Sequence, residues 1–125
     1  MKKIDFLLIN PPIYDFASYD LWIKPISLYN ILNILNSAGF TTLLLDCLDI
    51  NTFSNLKEDK YNLPIKKIYG EGKFLKKEIK KPHPIKNIKR KYSRYGIPIE
   101  TLKEELNNRI EPKAVLITSM MTYWY

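Results

Sequence analysis

The sequence is poor in the residues that many protein chemistries require. It has one cysteine, Cys47, and one histidine, His83, among 125 residues. A single thiol cannot form an internal disulfide or hold an iron–sulfur cluster, which takes several thiolates. With one histidine, neither a Ser-His-Asp triad nor a histidine-rich metal site can be assembled from the pattern. We therefore expect Cys47 to be a small buried residue and His83 to be an exposed, incidental one.

Glycine and long apolar runs are also scarce. There are 4 glycines, and none follows the first predicted strand. The G-x-G-x-x-G and P-loop patterns are absent, which disfavours a flavin- or nucleotide-binding site that cradles phosphates. No run approaches the about 20 apolar residues of a membrane helix. Residues 6–9 are too short a run for a signal peptide, so a cytoplasmic protein without a membrane span is predicted.

Positive charge is abundant but confined to one part of the chain. The net charge is +7, yet residues 57–94 carry 14 basic and 4 acidic residues, and the rest of the chain is net negative. Such a segment can bind an anionic partner, so one alternative is a stand-alone interaction module. Of the 20 basic residues 17 are lysine, whereas readers of phosphates and bases favour arginine. Nucleic acid is therefore the less favoured partner.

The first third of the chain has the pattern of a βαβ unit. Residues 4–9 are nearly all apolar and are followed by Asn10, Pro11 and Pro12, which end a buried strand sharply. A helical stripe of apolar residues runs between Pro25, which suits a first turn, and Gly39, which suits a left-handed stop. Residues 40–45 form a second strand that ends at Asp46. The two strands are predicted to be parallel.

A long basic insertion, residues 51–97, separates this unit from a second helix and a third strand. Its scattered aromatic and isoleucine residues favour partial order. After Pro98 an apolar helical stripe consists of Ile99, Leu102, Leu106 and Ile110. Glu111 and Pro112 are expected to stop that helix, and residues 114–117 to form a third buried strand. The predicted fold class is α/β, a partial flavodoxin- or Rossmann-like three-layer sandwich with parallel strands in the order 2-1-3.

In such a sheet the ligand crevice lies at the carboxyl ends of the strands, where the strand order reverses. Residues 10–14, 46–49 and 119–123 follow the three predicted strands and should converge there. Asp46 and Asp49 could accept hydrogen bonds from a ribose or another ligand hydroxyl, and a turn-capping role for them is about equally favoured. Thr118 and Ser119 could bond a ligand's polar atoms, or they could begin the next helix.

Several segments, taken in order, resemble the N-terminal part of cobalamin-binding radical S-adenosylmethionine proteins. The segments that carry the resemblance are residues 8–17 (Leu-Ile-Asn-Pro-Pro-Ile-Tyr-Asp-Phe-Ala), 19–22 (Tyr-Asp-Leu-Trp), 45–49 (Leu-Asp-Cys-Leu-Asp), 69–74 (Tyr-Gly-Glu-Gly-Lys-Phe), 81–84 (Lys-Pro-His-Pro), 94–97 (Arg-Tyr-Gly-Ile) and 118–125 (Thr-Ser-Met-Met-Thr-Tyr-Trp-Tyr). Asn-Pro-Pro alone is a weak motif, whereas the full set is specific. The match covers nearly the whole chain.

The resemblance implies a cobalamin bound against the carboxyl edge of the sheet. The residues it assigns to the corrinoid site are Asn10, Pro11, Pro12, Tyr14, Asp46, Ser119 and Met121. No D-x-H-x-x-G motif occurs, so no histidine of that motif would hold the cobalt, and no metal ligand is assigned.

The resemblance also implies that residues 1–125 are an incomplete cobalamin-binding domain. In the family a radical domain follows, and its Cys-x-x-x-Cys-x-x-Cys motif would hold a [4Fe–4S] cluster beside S-adenosylmethionine. That motif is absent from this sequence. The chain by itself is therefore predicted to bind a cofactor rather than to catalyse a reaction.

Overall fold

The computed structural model describes residues 1–21, 24–53, 56 and 63–119. The longer elements are the strand β1 (Lys2–Asn10), the helix α1 (Ile26–Ser37), the strand β3 (Thr42–Asp46), the helix α2 (Ile99–Arg109) and the strand β6 (Ile110–Ile117). Three short strands are also described: β2 (Ile13–Asp15), β4 (Lys76–Glu78) and β5 (Ser93–Tyr95). Neither described helix has the length and apolar character that a bilayer span requires.

A parallel three-stranded sheet forms the centre of the fold, and β1 is its middle strand. Leu8 lies opposite Leu44 of β3 on one side and Leu116 of β6 on the other. The order is β3-β1-β6. It differs in numbering from the predicted 2-1-3 because the short strands β2, β4 and β5, which sequence periodicity did not predict, intervene along the chain. The mixed α/β class with a parallel sheet and two helices is confirmed.

Both faces of β1 are buried. Leu7 and Ile9 point to one face and join a core to which α2 adds Leu102 and Leu106. Leu8 points to the opposite face, because side chains alternate along a strand, and it is fully buried as well. The helix α1 packs on β1 and β3. A central strand that is covered on both faces explains why residues 4–9 form an almost unbroken apolar run.

The boundary between α2 and β6 differs from the one predicted from the sequence. Glu111 and Pro112 do not stop α2. The helix ends at Arg109, and β6 begins at once with Ile110. Within the described residues β6 pairs only with β1, and an edge strand tolerates proline because the missing N–H is not needed on the open side. The strand is also not fully buried, since Val115 is 47% and Ile117 is 65% exposed.

The described part of the basic insertion is folded against the carboxyl edge of the parallel sheet. Its strands β4 and β5 join β2 in a second, antiparallel sheet with the order β2-β5-β4. Two small cores hold it in place. One consists of Ile13, Leu48, Phe74 and Tyr95, and the other of Phe16, Ile85 and Tyr92. Three aromatic residues of the insertion, Phe74, Tyr92 and Tyr95, are therefore buried in cores that also contain residues of the first 50 positions.

Candidate functional site

The carboxyl ends of β1 and β3 are joined by a buried polar pair. The Asn10 side-chain amide donates a hydrogen bond to Asp46 Oδ1 at 2.8 Å. The two residues are 3% and 4% exposed, and they face each other because β1 and β3 pair in register at that point. The sequence placed both residues at this edge, and the structure brings them together.

Asp46 and Asp49 also shape the turn that follows β3. Asp46 Oδ1 accepts a second hydrogen bond, from the Leu48 amide at 3.1 Å. Asp49 caps the next short turn by accepting from the Asn51 amide at 3.0 Å. Both carboxylates therefore act as turn caps, one of the two roles predicted for them. The Asp46 Oδ2 atom takes no part in these bonds.

Lysines from two distant segments approach the same edge. Lys24, just before α1, lies with its Nζ 3.3 Å from Asp49 Oδ2. Lys66, from the basic insertion, lies with its Nζ 2.8 Å from Asp20 Oδ2. Asp20 is held in turn by backbone hydrogen bonds in both directions with Gly72. Two ion pairs thus flank the Asp46 carboxylate from opposite parts of the chain.

These charged groups line a cavity of about 270 Å³ at the end of β3. Its walls are formed by Asp20, Lys24, Asp46, Leu48, Asp49, Ile50, Asn51, Pro64, Lys66, Gly70 and Phe74. Of this wall the sequence predicted only the segment 46–49, in which it singled out Asp46 and Asp49. Asp20, Lys24 and Lys66 were missed because no spacing relates them, and Lys66 lies 46 residues from its partner.

The pKa values of Asp49 and Lys24 are shifted by the ion pair that the two side chains form. Burial alone would raise the pKa of Asp49, but the Asn51 amide and the Lys24 ammonium outweigh it and hold the pKa below its usual value. Burial likewise disfavours the charged form of Lys24, yet the Asp49 carboxylate raises its pKa above the ordinary value, with a smaller contribution from Asp46. Both side chains are therefore charged across the neutral range.

Cys47 has the environment of an inert core residue. It is fully buried, and burial, followed by the neighbouring Asp46 charge, raises the pKa of its thiol to about 12. Its carbonyl accepts a hydrogen bond from the Ile97 amide at 2.8 Å. The thiol is therefore protonated and shielded, which confirms the prediction of a buried structural cysteine rather than a nucleophile. His83 is exposed in a short 3-10 turn, as predicted.

The other predicted site residues are spread along the same end of the sheet. Pro11 and Pro12 are half-buried between β1 and β2, and Tyr14 is exposed in β2 opposite Arg94. Ser119 is exposed just beyond β6, where the Thr118 amide donates to the Ile9 carbonyl at 3.2 Å. Met121 lies outside the described residues. Of the six that lie within the described residues, Asp46 alone lines the cavity.

The chain was compared with known proteins, and its side chains were compared with the geometry of metal sites. No family model matches the chain, and no curated protein or solved structure is significantly similar to it. Within the described ranges, no three histidine, cysteine, aspartate or glutamate side chains come together as a metal site. The arrangement can hold a polar ligand by hydrogen bonds and charge.

Proposed function

We propose that the chain is a cobalamin-binding module of the radical S-adenosylmethionine class, that it binds the cofactor without catalysing a reaction, and that it works in the cytoplasm. The observation that carries the proposal is the central position of β1, which brings the ends of β1 and β6 together at one edge of a parallel sheet. In flavodoxin-like sandwiches, the arrangement we propose for this sheet, ligands bind at that edge.

The donor set at this edge fits the rim of a corrinoid, which carries amide side chains that both donate and accept hydrogen bonds. The exposed Ser119 hydroxyl can do both, and Pro11 and Pro12 offer carbonyl oxygens. Asn10 and Asp46 would support this surface from below by fixing the strand ends. The chain's single histidine is exposed in a 3-10 turn of the basic insertion, and none of the groups that we assign to this surface is an imidazole.

A corrinoid ring would be too large for the cavity beside Asp46. Enclosed pockets for drug-sized ligands measure about 300–1,000 Å³, and a corrinoid is larger than such ligands. The cavity of about 270 Å³ beside Asp46 could therefore admit no more than a side chain of the ring. A bound corrinoid would lie on the open surface at the ends of β1 and β6, where it would supply a cobalt centre for methyl or electron transfer.

The test is a spectroscopic titration of the chain with hydroxocobalamin. We expect a saturable change in the visible spectrum, and at least about tenfold weaker binding for Ser119→Arg, which places a long charged side chain on the proposed surface. Ser37→Arg is the matched control, because Ser37 is an exposed serine at the last residue of α1, beside the start of β3 and away from the carboxyl edge. Absence of a saturable spectral change, or equal binding by both variants, would contradict the proposal.

A second candidate is a module that binds an anionic partner such as nucleic acid. Between β4 and β5 the described chain displays exposed basic side chains and one acidic residue, Glu78, which lies 3.7 Å from Lys91. The exposed basic residues are Lys76, Lys77, Lys80, Lys86, Lys89, Arg90 and Lys91. Their positive field would attract phosphates without reading bases.

Fluorescence anisotropy with a labelled single-stranded RNA tests this second candidate. It predicts binding at low salt that weakens as salt rises, and that is lost in the double variant Lys76→Glu/Lys77→Glu. The matched control is Lys2→Glu/Lys3→Glu, which reverses the same charge on an exposed part of β1. Absence of binding at low salt, or equal loss in both double variants, would count against it.

A further inference from the structure

The cavity at the end of β3 has a charge arrangement that the corrinoid proposal does not use. Its two lysines are each matched by one carboxylate, Lys24 by Asp49 and Lys66 by Asp20. The third carboxylate, Asp46, has no ammonium of its own within salt-bridge distance among the described residues. Among the described residues the wall has three acidic and two basic side chains, which sum to a net charge of −1.

The Asp46 carboxylate is buried, and only one of its two oxygens accepts hydrogen bonds from described residues. The residue is 4% exposed, and both of its hydrogen bonds, from the Asn10 side chain and the Leu48 amide, end on Oδ1. In the part of the chain that the structure describes, no donor reaches Oδ2. The fold thus keeps an acceptor available in the wall of the cavity.

The rest of the wall restricts the shape of a ligand. Leu48, Ile50 and Phe74 contribute apolar surface beside the carboxylates. A short hydrocarbon stem would pack there, while its charged end reached Asp46. A neutral hydroxyl could donate a hydrogen bond but would leave the net charge in place, and an anion would be repelled. Within the described residues the three carboxylates do not meet as metal ligands.

We propose that this cavity binds a primary ammonium group carried on a short alkyl stem, with Asp46 Oδ2 as its principal acceptor. The ammonium supplies a positive charge and the N–H donors that Oδ2 does not receive from the described residues. The two flanking ion pairs hold the walls apart and exclude a second cation by their own lysines. Asp46 supports the proposed corrinoid surface through Oδ1, whereas the ammonium would bind Oδ2, so binding in the cavity can be measured without corrinoid.

The probe is n-butylammonium chloride, followed by NMR chemical shifts of the labelled chain. We expect saturable shifts at the amides of Leu48 and Asn51 with a Kd on the order of 1–10 mM, as for a ligand of a few heavy atoms. The neutral isostere 1-butanol should bind at least about tenfold more weakly. Equal binding of 1-butanol, no saturable shift at these amides, or equally effective displacement by potassium chloride would overturn the proposal.

Two variants separate ligand binding from folding. Asp46→Asn keeps the shape of the side chain and removes its charge, so n-butylammonium binding should fall at least about tenfold. Asp5→Asn, at the opposite end of β1, is its matched control and should leave binding unchanged.

Lys24→Met is the more discriminating variant, because we expect it to strengthen n-butylammonium binding. Removing one ammonium makes the cavity more negative, and binding should tighten on the order of fivefold. Lys24 is half exposed, so the change should not unfold the chain, and general destabilisation would not tighten binding. Unchanged or weaker binding in Lys24→Met would refute the electrostatic argument.

Discussion

Replacing Gly96 by alanine should detach the basic insertion from the parallel sheet. Gly96 has a φ of +123°, and a Cβ at this position would lie 2.6 Å from the Cys47 carbonyl oxygen. That oxygen is backbone and cannot swing away. The same oxygen accepts the Ile97 amide at 2.8 Å, so the contact that the new methyl group disrupts is the one that joins the two sheets.

Gly39→Ala provides a matched control for this substitution. Gly39 also has a positive φ, +88°, but a Cβ there meets no atom within 4 Å. Both variants bear the cost of a left-handed backbone, about 1–2 kcal/mol. Only Gly96→Ala adds a collision with the backbone of the strand end, so the difference between the two variants measures the docking of the insertion.

The size of that difference follows from what the displaced segment leaves behind. Ile97 is fully buried, and exposing such a side chain costs about 1.5–3 kcal/mol. Losing its backbone hydrogen bond adds about 0.5–1.5 kcal/mol. We therefore expect Gly96→Ala to lower the free energy of unfolding by about 2–4 kcal/mol more than Gly39→Ala. With an m-value of about 1.5 kcal/mol/M in urea, the midpoint would fall by about 1–3 M more.

The reactivity of the Cys47 thiol gives a local measurement of whether the insertion has detached. Cys47 is fully buried and its thiol pKa is raised to about 12 by burial and by Asp46, so a thiol reagent should react slowly with the native chain. Opening at Gly96 should raise that rate at least about tenfold, and Gly39→Ala should leave it near the parental value. Equal urea midpoints for the two variants together with an equally protected thiol would refute the reasoning.

Three further results are expected. Asn10→Ala removes a donor from the buried Asp46 carboxylate and should lower the free energy of unfolding by about 1–3 kcal/mol in a urea titration; an unchanged midpoint would show that the pair is not needed. The Lys113 ammonium and the Thr41 hydrogen bonds lower the pKa of Asp5 to about 2, so its stabilising contribution should be complete above pH about 4 and be lost as the pH falls toward 2; melting curves of Asp5→Asn should lack this part of the acid loss, and identical pH profiles would contradict it. Ile117, 65% exposed on β6, should promote self-association, so Ile117→Lys should reduce light scattering on concentration; unaltered scattering would argue against this edge.

The sequence predicted those elements that are defined by local signals. Gly39 was expected to end the first helix, and it follows α1 with a positive φ, because a left-handed residue after a helix requires no tertiary information. Pro112 was misjudged for the complementary reason. A proline stops a helix or lies in an edge strand, and its position at an edge is set by strand pairing that the local sequence does not contain.

The short antiparallel sheet could not be predicted, because its strands of three residues each are too short to show a period. Their register is instead set by contacts such as that between Phe16 and Tyr92, whose ring centroids lie 5.2 Å apart. The candidate site could likewise be predicted only where it depends on local sequence. Asp46 follows directly from the end of a strand, whereas Lys66 arrives with the folded insertion.

Equilibrium dialysis of the purified chain against hydroxocobalamin is the most direct test of the function that we propose. It measures binding without assuming which residues contact the ring or what spectrum the complex has. The proposal predicts that the chain retains close to one equivalent of corrinoid at saturation, and that Ser119→Arg retains much less while Ser37→Arg matches the parent. A chain that is folded by its urea transition and yet retains no corrinoid would contradict it.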